Sequence, residues 1–355
     1  MERVFLADYF RWWTHQYLKE TGLLLNEFEL IARYFAKLSA GFPGAYGLLD
    51  DAAVISPSAG CELVVKSDVI VGAVDFLPDA PASLIARKAL RVNLSDLAAK
   101  GTVPLAYMVD LIVPATISEE WIAAFAAGLA DDQTRYSMHL IGGDTSSTSG
   151  PISVAITVFG QTPIGRIIRR GGAQEGDRIF VTGTIGDAAL GLCVLRGRLP
   201  DLDSSKAAQL VDRYRLPQPR VALGPHLLDI ARSGIDVSDG LVADLGHICA
   251  VSQLCALVES AAVPLSAAAT AAISGIPERL ALALTGGDDY EVVFTAPPAA
   301  TPRIEALSRS LGIPITSIGR MTGCSGSEHA RVLMLGSDGQ PISFESEGWT
   351  HFGGG

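Results

Sequence analysis

Lys88-Ala89-Leu90-Arg91-Val92-Asn93-Leu94-Ser95-Asp96-Leu97-Ala98-Ala99 is an apolar run at helical spacing with polar side chains set inside it. Leu90, Leu94 and Leu97 recur at i, i+4 and i+7 and mark a buried helix face. Asn93 and Asp96 are i, i+3 neighbours and share a face of the same helix. The plain reading of that pair is a buried cap-like hydrogen bond; the alternative is a carboxylate carried toward a core, which is costly unless a cation compensates it. Pro81 opens the helix and Gly101 closes it.

On either side of this helix the chain reads as strands and helices in alternation. Leu63–Val71 is dense in β-branched residues and predicts a strand, with a shorter one over Ala52–Ile55. Leu105–Val113 is a further strand, Ser118 caps a helix to about Tyr136, and Met138–Ile141 and Ile152–Phe159 are strands able to pair as a hairpin around a loop at Gly142–Gly150. Upstream, Asn26 with Glu29 forms a capping-box variant, Leu25 and Leu30 a hydrophobic staple, and Phe28, Ile31, Phe35 and Leu38 the buried stripe of a helix ending near Gly41.

Pro163–Gly176 reads as a link into a second half. There a strand Arg178–Thr182 leads through the turn Gly183–Gly186 to an Ala/Leu helix ending near Gly197. A helix follows Pro217 and Pro219, and another runs from Asp239-Gly240 through Leu241, Leu245 and Ile248. Strands lie near Ala256–Glu259, Tyr290–Phe294, Thr316–Ile318 and Val332–Leu335. The pattern predicts an α/β (α+β) protein of two mixed α/β domains, residues 25–163 and 164–355, with residues 1–24 as an N-terminal extension.

Hydrophobic residues at 48% and charged residues at 18% of 355 describe a chain able to bury substantial cores. The net charge of −11, with no basic run longer than Arg169-Arg170, argues against nucleic-acid binding. No run of 18 apolar residues occurs, which argues against a membrane span. The first 24 residues carry Glu2, Asp8, Arg11, Lys19 and Glu20, unlike a signal peptide. Cys61, Cys193, Cys249, Cys255 and Cys324 are odd in number and widely spaced, and read as core thiols of a cytoplasmic protein rather than a disulfide framework.

Seven aspartates sit in short Gly/Ser/Ala-rich settings, nearly all within or after apolar runs: Asp50-Asp51, Asp68 after Ser67, Asp96, Asp144 in Gly142-Gly143-Asp144-Thr145, and Asp236 and Asp239 in Asp236-Val237-Ser238-Asp239-Gly240. Each has a plain reading as turn, edge strand, loop or N-cap. As a set, with no basic cluster spaced to pair with them and no His or Cys pattern nearby, they suit a hard divalent cation such as Mg²⁺, which usually also holds substrate phosphates. No Lys follows a Gly, so a P-loop is excluded, and neither His-Arg-Asp nor Asp-Phe-Gly occurs.

From about Asn26 to Phe352 the chain resembles the thiamine-monophosphate kinases, of the aminoimidazole-ribonucleotide-synthetase-like superfamily. The resemblance is carried by Glu29–Phe35, Asp50-Asp51-Ala52-Ala53, Lys88-Ala89-Leu90, Asn93–Ala99, Gly142–Thr145, Val181–Thr184, Ser238–Leu241 and Gly286-Gly287-Asp288-Asp289-Tyr290-Glu291. It implies ATP-dependent phosphorylation of thiamine monophosphate to thiamine diphosphate, several Mg²⁺ ions, and a homodimer built on the N-terminal sheet. By position it assigns Asp51, Ser67, Asp68, Asp96, Asp144, Asp236 and Asp239 to metal, and Gly143, Asp144, Arg170 and Ser238 to ATP. Asp75, Asp288 and Trp349 fall to the thiamine substrate, and Asp50 is left as a turn residue. Asp75 stands where the family commonly has His, Asp288 where Glu is common, Ser147 in a loop that often carries Arg, and Lys66 where a small hydroxyl residue is usual. Two other readings stand beside it: within the superfamily, another ATP-using synthetase, and in a different class, a non-catalytic nucleotide or thiamine-phosphate binder. A selenophosphate synthetase would place a reactive Cys in a glycine-rich loop, whereas Cys61 precedes an apolar strand.

Overall fold

The structure, a computed structural model, describes residues 27–324 and 330–350. The proposed extension 1–24, the Asn26 cap and Leu25 lie outside the described residues. The chain forms two compact units, one holding the described residues through Pro57 with Val65–Asn93 and Pro104–Phe159, the other holding Ser58–Val64, Leu94–Val103 and the described residues from Gly160 on.

The first unit is built around β1 (Cys61–Val71), β2 (Val103–Pro114), β3 (His139–Thr148) and β4 (Ser153–Pro163), in the order β1-β4-β2-β3. β3 pairs in parallel with β2, setting Asp110 opposite Asp144, so the expected β3–β4 hairpin does not form. Gly142–Thr148 is strand rather than loop: parallel pairing satisfies the backbone of residues whose own propensity is low. Ala52–Ile55 is not a strand; it is irregular, with Val54 N bonded to Gly44 O at 2.9 Å. In the segment before it, Phe35 and Leu38 are buried as expected, but Phe28 is 81% exposed, because Glu27–Leu30 is one turn of α-helix that continues as a π turn over Ile31–Phe35. The extra residue per turn breaks the 3.6-residue stripe.

Helix α1 (Ala82–Ala99) is buried along most of its length, and α2 (Glu119–Tyr136) starts where Ser118 Oγ accepts from Trp121 N. Asp132 of α2, fully buried, receives Arg91 Nε at 2.6 Å and Arg87 Nε at 3.1 Å from α1. Val154, Ile156 and Val158 of β4 are buried, while Val65, Val69 and Ile112 stand out to solvent.

The second unit has a six-stranded sheet in the order β10-β7-β9-β5-β8-β6: β5 (Arg178–Thr182), β6 (Ser233–Asp236), β7 (Cys255–Glu259), β8 (Val292–Ala296), β9 (Ile315–Thr322) and β10 (Val332–Leu335). Only β10 and β7 run parallel. Ile179, Val181, Val258, Val293 and Met321 pack with Leu241, Leu245 and Ile248 of a helix at Leu241–Ser252; Phe180 and Phe294 face the other way, toward Ile304, Leu223 and Leu227.

Cys255 and Cys324 form a disulfide, which corrects the expectation of free thiols. Cys255 opens β7 opposite Thr322 at the end of β9, so the sheet brings together two cysteines 69 residues apart in sequence. Cys249 is a buried free thiol whose pKa is pushed up to about 11 by desolvation. No described helix is long and apolar enough to cross a membrane.

Candidate functional site

In the second unit the site begins where β6 ends. Asp236, buried, is its last residue, and Val237-Ser238-Asp239-Gly240 turns into the helix at Leu241. Asp239 is not the cap of that helix. Asp244, one turn inside it, reaches back: its Oδ2 accepts from the backbone N of Ser238 at 2.9 Å, Asp239 at 2.9 Å and Gly240 at 3.2 Å. Three donors aimed at one carboxylate oxygen fix the loop. Burial and the neighbouring Asp239 charge nonetheless raise the Asp244 pKa to about 7. Single ligand atoms of Asp239, Asp244 and His247 lie within 4.8 Å of one another.

A second loop is laced onto the first. Asp288 N donates to Ser238 O and Tyr290 N to Val237 O, each at 2.8 Å. Such closeness needs Gly287: a Cβ there would stand 2.3 Å from Ser238 O, and its φ is +72°. Asp288 and Tyr290 take left-handed backbone too, at φ 65° and 51°, a conformation non-glycine residues adopt only under constraint. From the C-terminal end, Trp349 N donates to Asp239 O at 2.9 Å. Ser238, Asp239, Asp288 and Trp349 are therefore held together by backbone hydrogen bonds, although more than 100 residues separate the first from the last in sequence.

The other carboxylates of this loop support it. Asp289, buried, accepts from Gly186 N at 2.7 Å and caps the helix at Asp187–Leu195; burial raises its pKa well above the usual range. Glu291, fully buried, accepts from Thr182 Oγ1 at 2.6 Å and from Arg213 Nη2 at 2.7 Å, and pairs with Arg220. Arg213 comes from a helix at Ser204–Arg215 that the sequence reading omitted, as it did β6. Ser95 Oγ, beside Asp96 on α1, donates to Tyr290 O at 3.3 Å. Arg170 is exposed, and Arg169 O before it accepts from Gly234 N of β6 at 3.0 Å.

In the first unit, Asp51 is exposed and Asp50 Oδ1 accepts its backbone N at 2.8 Å, the turn role expected of Asp50. Ser67 and Asp68 lie on β1, an edge strand. Thr157 Oγ1 donates to Ser67 Oγ at 2.9 Å, and Lys66 Nζ lies 3.0 Å from Asp68 Oδ1, a cationic partner that sequence spacing did not reveal. Asp144 is exposed on β3, and Gly143 before it packs so tightly that a Cβ would stand 1.8 Å from Val109 O. Asp75 Oδ2 accepts from Val71 N at 2.7 Å and its carbonyl from Lys88 Nζ at 2.9 Å, so this residue also closes the turn after β1.

The donors assigned to metal are all oxygens, as a hard cation requires. Asn93 adds an observation of the same kind: its Nδ2 donates to Ala89 O, yet its buried Oδ1 has no hydrogen-bond partner. The residues present suit Mg²⁺.

Residues 49–162 match the family model of the AIR synthase related protein N-terminal domain, and residues 174–330 match that of its C-terminal domain. Over 329 residues the chain is 40% identical to the thiamine-monophosphate kinase of Escherichia coli, an alignment covering 92% of this chain and 98% of that protein. The chain belongs to the thiamine-monophosphate kinase family. Its fold agrees with the crystal structure of the thiamine-monophosphate kinase of Stenotrophomonas maltophilia, at a TM-score of 0.79 and 39% identity over 90% of this chain and 98% of that one. A ThiL structure in complex with AMPPCP and TMP aligns at a TM-score of 0.72 and 28% identity, covering 92% of this chain and 97% of that one. Within this thiamine-monophosphate kinase family chain, Asp244, Asp289 and Glu291 are the residues that sequence reasoning missed: three acids within Gly286–Glu291 look alike in sequence, and only their distant partners separate their tasks.

Proposed function

We infer that the protein transfers the γ-phosphoryl group of ATP to thiamine monophosphate, giving thiamine diphosphate. The observation that carries this is the near-full-length identity to thiamine-monophosphate kinases. The lacing of Ser238, Asp239, Asp288 and Trp349 into one patch supports it.

The acceptor is a phosphate monoester with a second pKa of about 6, mostly dianionic at neutral pH and already nucleophilic. It needs no general base. The barrier lies in bringing two polyanions together: two −2 groups about 5 Å apart repel by roughly 13 kcal/mol at an effective dielectric of 20. When bound, Mg²⁺ supplies the positive charge that offsets this repulsion. Asp51, Ser67, Asp68, Asp96, Asp144, Asp236 and Asp239 would hold it. Gly143 and Ser238 would offer backbone groups to the nucleotide, Asp144 a carboxylate to the metal that neutralises it, and Arg170 a cation. Asp75 and Asp288 would each offer negative charge to the thiazolium, and Trp349 an aromatic face. Transfer is then direct and in line, without a phosphoenzyme.

In this reading residues 25–163 carry ATP, magnesium and the dimer surface, and 164–355 form the second domain. Val65 and Val69, 58% and 56% exposed on β1, with Ile112, give the first unit an apolar face suited to a second copy of the chain; sedimentation at the mass of one chain would remove this assignment. A kinase that consumes ATP works where ATP is made, so we place it in the cytoplasm, which cell fractionation tests.

Incubation with ATP, Mg²⁺ and thiamine monophosphate, read by phosphorus NMR, is expected to give the diphosphate; binding without turnover would favour a non-catalytic binder. Trp349 is 55% exposed, and stacking of a cation on an indole contributes about 0.5–2 kcal/mol. Thiamine monophosphate should quench its fluorescence, and Trp349→Ala should raise KM by roughly 2- to 30-fold with little change in kcat. An unchanged KM would take Trp349 out of the substrate site.

A further inference from the structure

We propose that the second unit carries an additional ligand site, at the Arg178 end of its sheet, for a small phosphorylated molecule bearing a cationic nitrogen. It is a cleft of ≈ 450 Å³ lined by Arg178, Arg320, Ser317, Leu257 and Glu259 among others. Pockets of a few hundred Å³ are the usual size for small metabolites. By register it lies at the opposite end of the sheet from Asp236: Arg178 is opposite Ala296 of β8, whereas Asp236 is opposite Val292.

The strand register builds this site. Arg178 of β5 and Arg320 of β9 are directly opposed on antiparallel strands, which sets their Cβ atoms about 5 Å apart on one face. Like charges in that position repel. Both are exposed, and neither makes an ion pair or side-chain hydrogen bond with another described residue, although the chain has 38 acidic against 27 basic side chains. Their nearby counterpart Arg232 is paired with Asp177 at 2.7 Å, so charge pairing is available at this end of the sheet and is not used by these two.

A register shift then completes the pocket. Ile179 is opposite Gly319 and Phe180 opposite Ser317, which leaves Ile318 as an extra residue on β9. In a regular strand Ser317 and Arg320, three apart, would point to opposite faces; the extra residue puts the hydroxyl and both guanidinium groups on one side. Gly319 permits the close strand approach, since a Cβ there would meet Leu257 O at 2.1 Å.

Leu257 is opposite Arg320 and gives the floor an apolar surface. Glu259 follows two residues on, on the same face and about 7 Å along the strand. A phosphate held by the arginine pair and Ser317 would thus set a nitrogen substituent one short chain away against the Glu259 carboxylate.

The test needs neither nucleotide nor metal, so its outcome is separate from that of the kinase reading. Thermal unfolding is followed in EDTA while inorganic phosphate replaces chloride at constant ionic strength. Wild-type protein is expected to show a saturable rise in Tm, with half-effect at millimolar phosphate. The double variant Arg178→Ser/Arg320→Ser should need at least tenfold more phosphate, and Arg178→Lys/Arg320→Lys should recover much of the response. O-phosphoethanolamine should act at lower concentration than phosphate, and Glu259→Gln should abolish that difference. The same phosphate response in wild type and the Ser double variant would overturn the site; no advantage of O-phosphoethanolamine in the wild type would overturn the ligand class.

Discussion

Asp144→Asn is expected to lower the rate of thiamine diphosphate formation by a factor of about 10²–10³, the range seen when a group that stabilises transition-state charge is removed. The substitution keeps size and shape and removes only the anion. Asp144 is exposed, and the pairing of β3 with β2 runs through backbone groups, so the strand does not depend on the side chain. Unfolding temperature and far-UV circular dichroism should therefore match the wild type while turnover collapses. Raising Mg²⁺ should recover part of the rate, because a site with fewer anions binds the ion more weakly without losing its place. Asp96→Asn should behave in the same way. Wild-type turnover in either variant would exclude that carboxylate from the metal site.

The site shows where one sequence is legible and where it is not. The helix at Ala82–Ala99 was readable because Leu90, Leu94 and Leu97 repeat on its own face, a purely local signal. β3 beyond Ile141 reads as loop in the sequence because Gly142, Gly143 and Asp144 are poor strand formers and no apolar alternation follows them; what makes the segment a strand is the parallel neighbour β2. β6 has only four residues, Ser-Gly-Ile-Asp, too few to show a period. The helix at Ser204–Arg215 buries just Leu210 and Tyr214, a stripe too thin to stand out from its charged residues. Ser238 and Asp239 could be singled out as candidates because the string that carries them is contiguous. Asp289 and Glu291 could not, because their partners Gly186 and Thr182 lie 103 and 109 residues away.

Those distant partners also account for the strained backbone of the Gly286–Glu291 loop. Asp288 and Tyr290 keep left-handed conformations because the residues between and after them are anchored: Asp289 on Gly186, Glu291 on two arginines and Thr182. Strain of order 1–3 kcal/mol per residue persists only where the surroundings over-determine it. The buried acids are thus the support on which Asp288 is presented.

Glu291→Gln follows from this support and should destabilise the second unit strongly. Glu291 is fully buried, and its two cationic partners, Arg213 and Arg220, have side chains only 11% and 14% exposed. Removing the negative charge leaves two nearly buried guanidinium groups facing a neutral amide. Breaking a buried pair by one partner costs about 3–5 kcal/mol, since the remaining charge has lost its compensation. Thr182 ties the same carboxylate to the sheet, donating its hydroxyl to Glu291 and accepting from Val292 N at 2.8 Å, so the loss reaches β5 and β8. For a unit of this size about 2–4 °C accompanies each kcal/mol, which predicts a fall in Tm of roughly 6–20 °C by calorimetry. Turnover measured well below that temperature should fall as well, through a higher KM for thiamine monophosphate, because Asp288 would no longer be fixed. The control is Glu291→Leu together with Arg213→Met and Arg220→Met: replacing the whole cluster by apolar groups removes the uncompensated charge and should recover stability without recovering KM. A Tm within about 2 °C of wild type for Glu291→Gln would show that the arginines find other partners, and the account of Glu291 as the anchor of the Gly286–Glu291 loop would fail with it.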